Sequence, residues 1–255
     1  MRDIKKLLEN EMKKRDCKEE LCYEKPDPLF IAKRYEDEYI SLICALFGYG
    51  NAKAIITFLD SLDFSLLDQD EKMIQKKLKG YYYRFQNEKD VIDFFLAIRR
   101  LRQKDSLENI FYAGYQKEND VVEGIQRVIQ YIYEELENYS EGLRFLVGTS
   151  LKKDREGKSK IKGASAYKRY NMFLRWMVRK DNLDMGLWNK IDKKDLLLPL
   201  DTHTFKVTRK LGLLDRKTYD LYSVYLVTEK LKEFDKDDPI KYDFALYRLG
   251  QEKII

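Results

Sequence analysis

Lys168 and Asp201 are the two side chains of this sequence whose types and settings best suit chemistry. Lys168 stands near the start of an amphipathic segment, 165–180, and Met172 and Trp176 follow it at helical spacing. The apolar stripe and the positive end of a helix dipole both favour a neutral amine, which is the nucleophilic form. A surface lysine whose stem lies along the stripe is the commoner use of such a position.

Asp201 follows Pro199 and Leu200 and precedes a segment that carries Phe205 and Val207 at helical spacing. This pattern predicts Asp201 as the N-cap of a helix, a position at which aspartate is strongly preferred. A carboxylate fixed by the N–H groups of a helix start stays ionised and rigid, as a catalytic base or a cation stabiliser must. The capping role and the catalytic role are compatible, and the pattern alone leaves both open.

The elements that position these residues are predicted to be helices. Glycine (12) and proline (4) are scarce among 255 residues, and strand-like alternation is hard to find, which favours an all-α protein. Ser165 is the predicted N-cap of the Lys168 helix, and Asp238 with Pro239 is the predicted start of the last helix. Further helices are predicted at 1–21, 40–47, 52–62, 88–101, 105–113, 120–137 and 238–250.

Composition excludes several classes of protein. Hydrophobic residues make up 44% and charged residues 36%, which is typical of a globular protein with a highly charged surface. His203 is the only histidine, and Cys17, Cys22 and Cys44 are the only cysteines, so we expect no metal, no cofactor and no disulfide framework. No apolar run approaches the roughly 18 residues of a membrane span, so we expect no membrane contact and a cytosolic location.

The net charge of +5 permits nucleic-acid binding, and residues 152–163 concentrate positive charge just before the Lys168 helix. This basic loop holds six Lys or Arg residues against two acids, together with two glycines, and we expect it to be flexible. A phosphate-binding loop and a solvated linker are equally compatible with this composition.

Two other segments admit two interpretations each. The run from Gly80 to Phe85 places four aromatic residues beside Arg84, which could stack on unpaired bases, although ordinary packing is the preferred interpretation.

Asp243 shares a predicted helix face with apolar residues, and a buried acid there needs a partner. That partner is either a Lys or Arg of this protein or a ligand.

The segment from Pro199 to Val207 (PLDTHTFKV) resembles the P-V-D-T/V-H segment of helix-hairpin-helix DNA glycosylases. Residues 165–250 further resemble the archaeal 8-oxoguanine DNA glycosylase branch of that superfamily. The likeness rests on Lys168 with Asn171 three residues later, on Asp201 33 residues beyond the lysine, and on Asp243 followed four residues on by Tyr247.

The chain also resembles, over most of its length, a bacterial family of uncharacterised proteins that shares the segments from Ser165 to Arg179 and 199–204. Two features depart from the glycosylase pattern. The glycine-rich L-P-G-V-G hairpin is missing between Lys168 and Asp201, so the anchoring of the DNA backbone must differ. No cysteine follows Asp201, so the iron–sulfur cluster of some relatives has no ligands here.

The glycosylase resemblance implies a two-lobed helical fold with its active site in the cleft between the lobes, one lobe at approximately 50–165 and the other at 1–49 with 166–255. It implies a monomeric base-excision glycosylase with AP lyase activity, which removes an oxidised purine such as 8-oxoguanine flipped out of damaged duplex DNA. Lys168 would attack C1′ of the deoxyribose, and Asp201 would assist it.

The resemblance also implies the remaining site residues and a location at the bacterial nucleoid. The expected substrate contacts are Asp243, Tyr247, Asn171, Trp176 and His203. The expected contacts to the DNA backbone are Lys158, Lys160, Lys162 and Arg169. A non-catalytic DNA- or RNA-binding protein on the same fold is the alternative, with Lys168 and Asp201 serving only as helix-end residues.

Overall fold

The chain folds into helices joined by turns, which confirms the all-α prediction. A computed structural model describes every residue except Met1, Gly157 and Lys158. β pairing within the described residues is limited to isolated bridges. Within the same residues, no helix combines the length and the apolar character that a membrane crossing requires. The α-helices, in chain order, are α1 Arg2–Arg15, α2 Pro28–Ala32, α3 Glu38–Leu46, α4 Ala52–Ser61, α5 Glu71–Lys77, α6 Glu88–Lys104, α7 Leu107–Tyr115, α8 Val121–Glu135, α9 Glu141–Val147, α10 Lys168–Val178, α11 Thr202–Lys210, α12 Leu221–Lys232 and α13 Asp243–Gln251.

The chain divides into two compact units. The inserted unit is Pro26–Ser150, and the discontinuous unit combines Met1–Lys25 with Leu151–Ile255. This division differs from the expected lobe at approximately 50–165. Helix α2 packs on both α3 and α4, so these elements share the core of the inserted unit. Residues 151–165 lie instead with the Lys168 helix in the discontinuous unit.

The inserted unit is built around α6 and α8. Helix α8 packs on α6 and α7, while α5 and α9 also pack on α6. Helix α3 is buried along nearly its whole length, as its continuous apolar sequence predicts, and Cys44 within it has no exposed surface. The unit therefore has a hydrophobic core of its own, which small single domains need for stability.

The discontinuous unit joins the two ends of the chain. Helix α1 packs on α13, and Arg15 of α1 makes a two-pronged ion pair with Glu252, with N–O distances of 2.8 and 2.7 Å. Paired Arg–carboxylate hydrogen bonds of this kind fix geometry as well as adding energy. Helix α13 also packs on α11, so the helix that begins after Asp201 and the helix that begins at Asp243 are neighbours.

Two helix predictions need correction at their ends. The predicted helix 1–21 ends at Arg15, and a separate 3₁₀ turn follows at Lys18–Glu20. The predicted last helix is divided into a 3₁₀ turn at Pro239–Tyr242 and then α13. The Asp238 side chain does not cap this segment, because it pairs with Arg179 instead, at 2.9 Å.

Candidate active site

Helix α10 begins at Lys168, and the preceding residue sets its start. Tyr167 adopts a left-handed backbone conformation with φ of 46°, and its carbonyl accepts the N–H of Asn171 at 2.9 Å. The Asn171 side chain donates to the carbonyl of Ala166 at 3.1 Å and so fixes the same turn. The predicted N-cap at Ser165 is wrong, because α10 begins at Lys168 and Tyr167 stands at its N-cap position. The Ser165 hydroxyl accepts the N–H of Tyr167, which lies before the helix.

The Lys168 side chain is half-buried along the apolar stripe of α10. Its Nζ lies 3.5 Å from Sδ of Met172, one turn further along the helix. A thioether is a weak hydrogen-bond acceptor, and Lys168 forms no ion pair with any residue that the structure describes. The amine therefore keeps most of its hydrogen-bonding capacity for another group.

Asp201 is the N-cap of α11, which confirms the prediction. Its Oδ1 accepts the N–H groups of His203 and Thr204, each at 2.8 Å. Its Oδ2 accepts no hydrogen bond from the described residues, and the side chain is only half-buried. One oxygen therefore holds the carboxylate in place while the other remains open.

Tyr219 supports the chain just before Asp201, and sequence reasoning missed it. Its hydroxyl donates to the carbonyl of Leu200 at 2.7 Å, and its ring meets that of Phe205 edge-on. Burial and the nearby Asp201 carboxylate both raise the pKa of this hydroxyl, so it stays protonated as a donor. Tyr219 is 19 residues from Leu200, and a tyrosine in a polar connection has many roles, so no local sequence pattern predicted this contact.

Asp243 is buried at the start of α13 and is ion-paired with Arg175 of α10. Burial raises the pKa of its carboxyl, and Arg175 opposes that rise. Smaller effects come from the charge of Asp201, which raises the pKa further, and from the charge of Lys168, which lowers it. Lys168 and Asp201 therefore each lie within electrostatic reach of Asp243, and the three residues stand at the starts of three helices.

A chain of alternating charges runs from the buried Asp243 to the half-buried Asp238. Arg175 bonds Asp184 through Nε at 3.1 Å, Asp184 also pairs with Arg179, and Arg179 continues to Asp238. Burial raises the pKa of Asp184 to about 6, in spite of the two arginines beside it. We name this set the charge chain: Asp243, Arg175, Asp184, Arg179 and Asp238. Of the two choices for the partner of Asp243, the described structure supplies the arginine.

The charge chain also was not assembled by sequence reasoning. The available signal was Arg175 and Arg179, one turn apart on an otherwise largely buried helix, with Asp181 and Asp184 just after it. Two buried arginines need carboxylates, and the nearest acids in sequence supply some of them: Asp181 and Asp184 both pair with Arg179, and Asp184 also bonds Arg175. Asp243 could not be assigned in this way, because it is 68 residues from Arg175.

Comparison with known families places the whole of this site inside one family. A family model described as "Protein of unknown function (DUF2400)" matches residues 27–252. The chain belongs to the DUF2400 family. No curated protein matches it, and no solved structure matches it. The DUF2400 match takes in the inserted unit, the charge chain and the starts of α10, α11 and α13, while α1 lies before it.

Within this DUF2400 chain, the expected substrate contacts have different settings. Tyr247 is half-buried one turn along α13 from Asp243, and His203 is exposed in the first turn of α11. Asn171 is buried, and its side-chain N–H group positions the turn before Lys168 by donating to Ala166. Its Oδ1 has no hydrogen-bond partner among the described residues. Trp176 has no exposed surface, which makes it a core residue in this structure rather than a surface for a ligand.

The expected contacts to the DNA backbone are divided. Lys160 and Lys162 are exposed, and the Lys162 amine lies 5.0 Å from the centre of the Tyr222 ring. Arg169 is half-buried in the first turn of α10. Lys158 lies outside the described residues.

The described part of the basic loop is closed by a hydrogen bond within it and is anchored to another part of the chain at Gly163. The N–H of Lys160 donates to the carbonyl of Lys152 at 2.8 Å, and the N–H of Gly163 donates to Asp220 at 2.8 Å. Burial alone would raise the pKa of Asp220, but hydrogen bonds from Arg216, Gly163 and Ser223 lower it to about 2. These bonds restrain the loop at Lys160 and Gly163, and its flexibility elsewhere stays a prediction.

A basic groove runs beside α11 near its contact with α13. None of the described residues that line the groove is acidic. The basic residues among them are His203, Lys206, Arg209, Lys210 and Lys253. A groove with this lining attracts anions such as phosphate groups.

Proposed function

We propose that this protein is a DNA base-excision glycosylase with AP lyase activity, which acts on an oxidised purine such as 8-oxoguanine. A fold of the helix-hairpin-helix glycosylase type is part of this proposal. The observation that carries it is the setting of Lys168: a half-buried amine without an ion pair in the described structure, within electrostatic reach of Asp243, on which the charge of Asp201 also acts. Lysine and aspartate in this relation suit nucleophilic catalysis.

In the proposed reaction, Nζ of Lys168 attacks C1′ of the deoxyribose of a flipped nucleotide. A new N–C1′ bond forms, the glycosidic bond breaks, and its electron pair leaves with the base. Oδ2 of Asp201 accepts the proton that the amine loses and stabilises the positive charge that develops on the sugar. Sugar-ring opening then yields a Schiff base, and elimination of the 3′ phosphate nicks the strand.

Two residues of α13 are suited to contact the extruded base. Asp243 gives one carboxylate oxygen to Arg175, and its second oxygen is proposed to accept a hydrogen bond from the base. Tyr247, one turn further on and half-buried, is proposed to contact the ring of the base. Base-flipping enzymes read an extruded base through such edge and ring contacts.

Phosphate contacts are proposed for the basic groove beside α11 and for Lys160, Lys162 and Arg169. The groove supplies positive charge next to the helix whose N-cap is Asp201. Since phosphate contacts position a nucleic acid without reading its sequence, these residues are expected to contribute to affinity and to its salt dependence.

The test is covalent trapping with borohydride. Wild-type protein is incubated with duplex DNA that contains 8-oxoguanine or an abasic site, and a stable protein–DNA adduct is expected. The Lys168→Gln variant should give no adduct, whereas Lys210→Gln, a lysine of the groove, should still trap. The Asp201→Asn variant should release the base more slowly. Binding of damaged DNA without trapping on any lesion would contradict the lyase proposal.

A non-catalytic DNA- or RNA-binding protein is the second candidate, and a specific observation favours it. Both acids already have structural roles, because Asp201 caps α11 and Asp243 pairs with Arg175. The basic groove needs neither acid. In this case, wild type and Lys168→Gln would bind DNA equally, and neither would form an adduct.

A further inference from the structure

The inserted unit carries an exposed cluster of aromatic rings with an arginine over them. Phe85 is 57% exposed and Phe145 44% exposed, and both rings contact Tyr49. The rings of Phe85 and Phe145 also meet edge-on, with centroids 4.8 Å apart. We call Tyr49, Arg84, Phe85 and Phe145 the aromatic platform. Large rings usually lose their water-exposed area on folding, so three of them at one surface point indicate a binding role.

The backbone holds Arg84 and Phe85 at the tip of a tight turn. Tyr83 and Gln86 exchange N–H to carbonyl hydrogen bonds, each 2.9 Å long, and leave Arg84 and Phe85 as the two residues between them. Arg84 has φ of 52°, a conformation that is uncommon for residues other than glycine. Strain of this kind persists where the surrounding structure enforces it, and it is concentrated at functional sites.

The surrounding structure does enforce this turn. Gln86 donates from its side chain to the carbonyl of Gly142 at 2.7 Å, and the Tyr83 hydroxyl donates to the carbonyl of Tyr49 at 2.6 Å. Gly50, with φ of 102°, leaves space for the arginine, because a Cβ there would lie 2.6 Å from Nη1 of Arg84. The platform is thus rigidly supported from below while its upper surface faces solvent.

The Arg84 guanidinium lies over the rings and has no carboxylate partner among the described residues. Its Cζ is 5.8 Å from the Tyr49 centroid and 5.6 Å from the Phe85 centroid. The surface therefore combines flat rings with a cation that is free to pair with an anion. Flat rings are complementary to nucleobases and the cation to phosphate, which is the combination used by proteins that bind unpaired nucleic acid.

We propose that the aromatic platform binds an unpaired stretch of nucleic acid, with a base stacked on Phe85 and a phosphate on Arg84. The platform lies wholly in the inserted unit, and its proposed binding does not depend on the chemistry at Lys168. The proposal also replaces ordinary packing, the preferred interpretation of Gly80–Phe85 from sequence, for part of that run. Tyr83 is buried in the core, but Tyr82 is 74% exposed, and Phe85 and Arg84 face solvent.

The experiment measures the binding of a short fluorescent oligothymidylate by anisotropy at several salt concentrations. Phe85→Ala should weaken binding about fivefold or more, because a base stacked on an aromatic ring contributes that much. Arg84→Asn removes the charge with a residue that tolerates positive φ, and it should reduce the slope of log K against log salt by about 0.7. Tyr139→Ala is the matched control, since Tyr139 is 63% exposed but lies outside the platform.

A direct reporter comes from Phe85→Trp, whose new indole should be quenched when the oligonucleotide binds. Lys168→Gln should bind the oligonucleotide as wild type does, so the loss of trapping and the loss of platform binding are separate results. Equal affinity of wild type and Phe85→Ala, or no binding by either, overturns the proposal. So does self-association of the wild type that Phe85→Ala abolishes without any change in oligonucleotide affinity. That result would assign the platform to a second copy of the chain.

Discussion

Arg175 in the middle of α10 is ion-paired with Asp243 at the start of α13, although 68 residues separate them. The same arginine bonds Asp184 through its other side. The helix that begins with Lys168 is thereby tied to the helix that carries Asp243 and Tyr247. Any movement of α10 relative to α13 must break a buried ion pair.

Arg175→Gln should destabilise the discontinuous unit by roughly 3–5 kcal/mol, because it leaves Asp243 and Asp184 without their shared cation. Urea unfolding followed by tryptophan fluorescence measures this, since Trp176 and Trp188 both lie in that unit. Lys230→Gln is the control, because it lies in the same unit. Lys230 pairs with Glu233 at an exposed position, and its loss should cost only about 0–1 kcal/mol.

A second substitution distinguishes charge from packing. Asp243→Asn in the Arg175→Gln background removes the carboxylate that is left without a cation, since Asp184 keeps its pair with Arg179, and should recover part of the lost free energy of unfolding. If the single Arg175→Gln variant unfolds at the wild-type urea concentration, the charge chain contributes nothing to stability.

Asp201 has a capping role and a proposed catalytic role, and two substitutions separate them. Asp201→Ala removes the acceptor for the His203 and Thr204 N–H groups and should cost about 1 kcal/mol of stability. Asp201→Asn keeps the acceptor and should cost almost nothing, although it removes the negative charge. Asp120→Ala provides a comparison for capping, because Asp120 caps α8 by accepting one backbone N–H, that of Val122.

Thermal unfolding measures the stability of the Asp201→Ala and Asp201→Asn variants, and the rate of base release measures their activity. If the acid is catalytic, Asp201→Asn and Asp201→Ala lose base release alike while only the alanine variant melts at a lower temperature. A fully active Asp201→Asn variant would leave the residue with its capping role alone.

Asp220 predicts how stability depends on acid pH. The pKa of its carboxyl falls from an ordinary value of 3.8 to about 2 in the folded state. This acid therefore stabilises the folded state above about pH 3.8, and the stabilisation is lost as the pH falls through about 2. At neutral pH the gain is on the order of 2 kcal/mol.

Asp220→Asn should lose that stabilisation at neutral pH and approach the wild type near pH 2. Urea unfolding at a series of pH values measures the difference, and Asp215→Asn is the control because Asp215 is exposed. Parallel curves for wild type and Asp220→Asn would show that the Arg216, Gly163 and Ser223 contacts do not lower the pKa of this acid.

Gly250 sets the approach of α11 to α13. A Cβ at this position would lie 2.8 Å from Cγ2 of Val207, closer than carbon atoms pack. Gly250→Ala should therefore cost about 1–3 kcal/mol and move α11 away from the end of α13. Val207→Ala in the same chain removes the clashing methyl groups and should restore part of the loss. If Gly250→Ala traps DNA at the wild-type rate, the spacing of the two helices does not matter for the proposed chemistry.

Local chemistry explains which features were predictable from sequence. The Asp201 cap was predicted because an N-cap depends on residues within one turn. The buried α3 was predicted from its continuous apolar run. Ser165 failed as a cap because the left-handed turn at Tyr167 and the side chain of Asn171 decide where α10 starts. Neither the left-handed conformation of Tyr167 nor the hydrogen bond of Asn171 can be predicted from residue types alone.

The long-range features of the site follow from packing, which no local pattern encodes. The Arg175–Asp243 pair and the support of Leu200 by Tyr219 join residues that are distant in sequence. The boundary of the inserted unit also depends on which helices share a core. Sequence patterns identified Lys168, Asp201 and Asp243 individually, and the fold brought the first two within electrostatic reach of Asp243.

The thiol of Cys44 can report how often the inserted unit opens. Its burial within α3 raises the pKa of the thiol and hides it from solvent, so a thiol reagent can reach it only after that unit opens. Cys17 and Cys22, the other thiols, lie in the discontinuous unit and can be replaced by serine. In that background the labelling rate of Cys44 measures the opening of the inserted unit alone, under conditions in which the protein remains native.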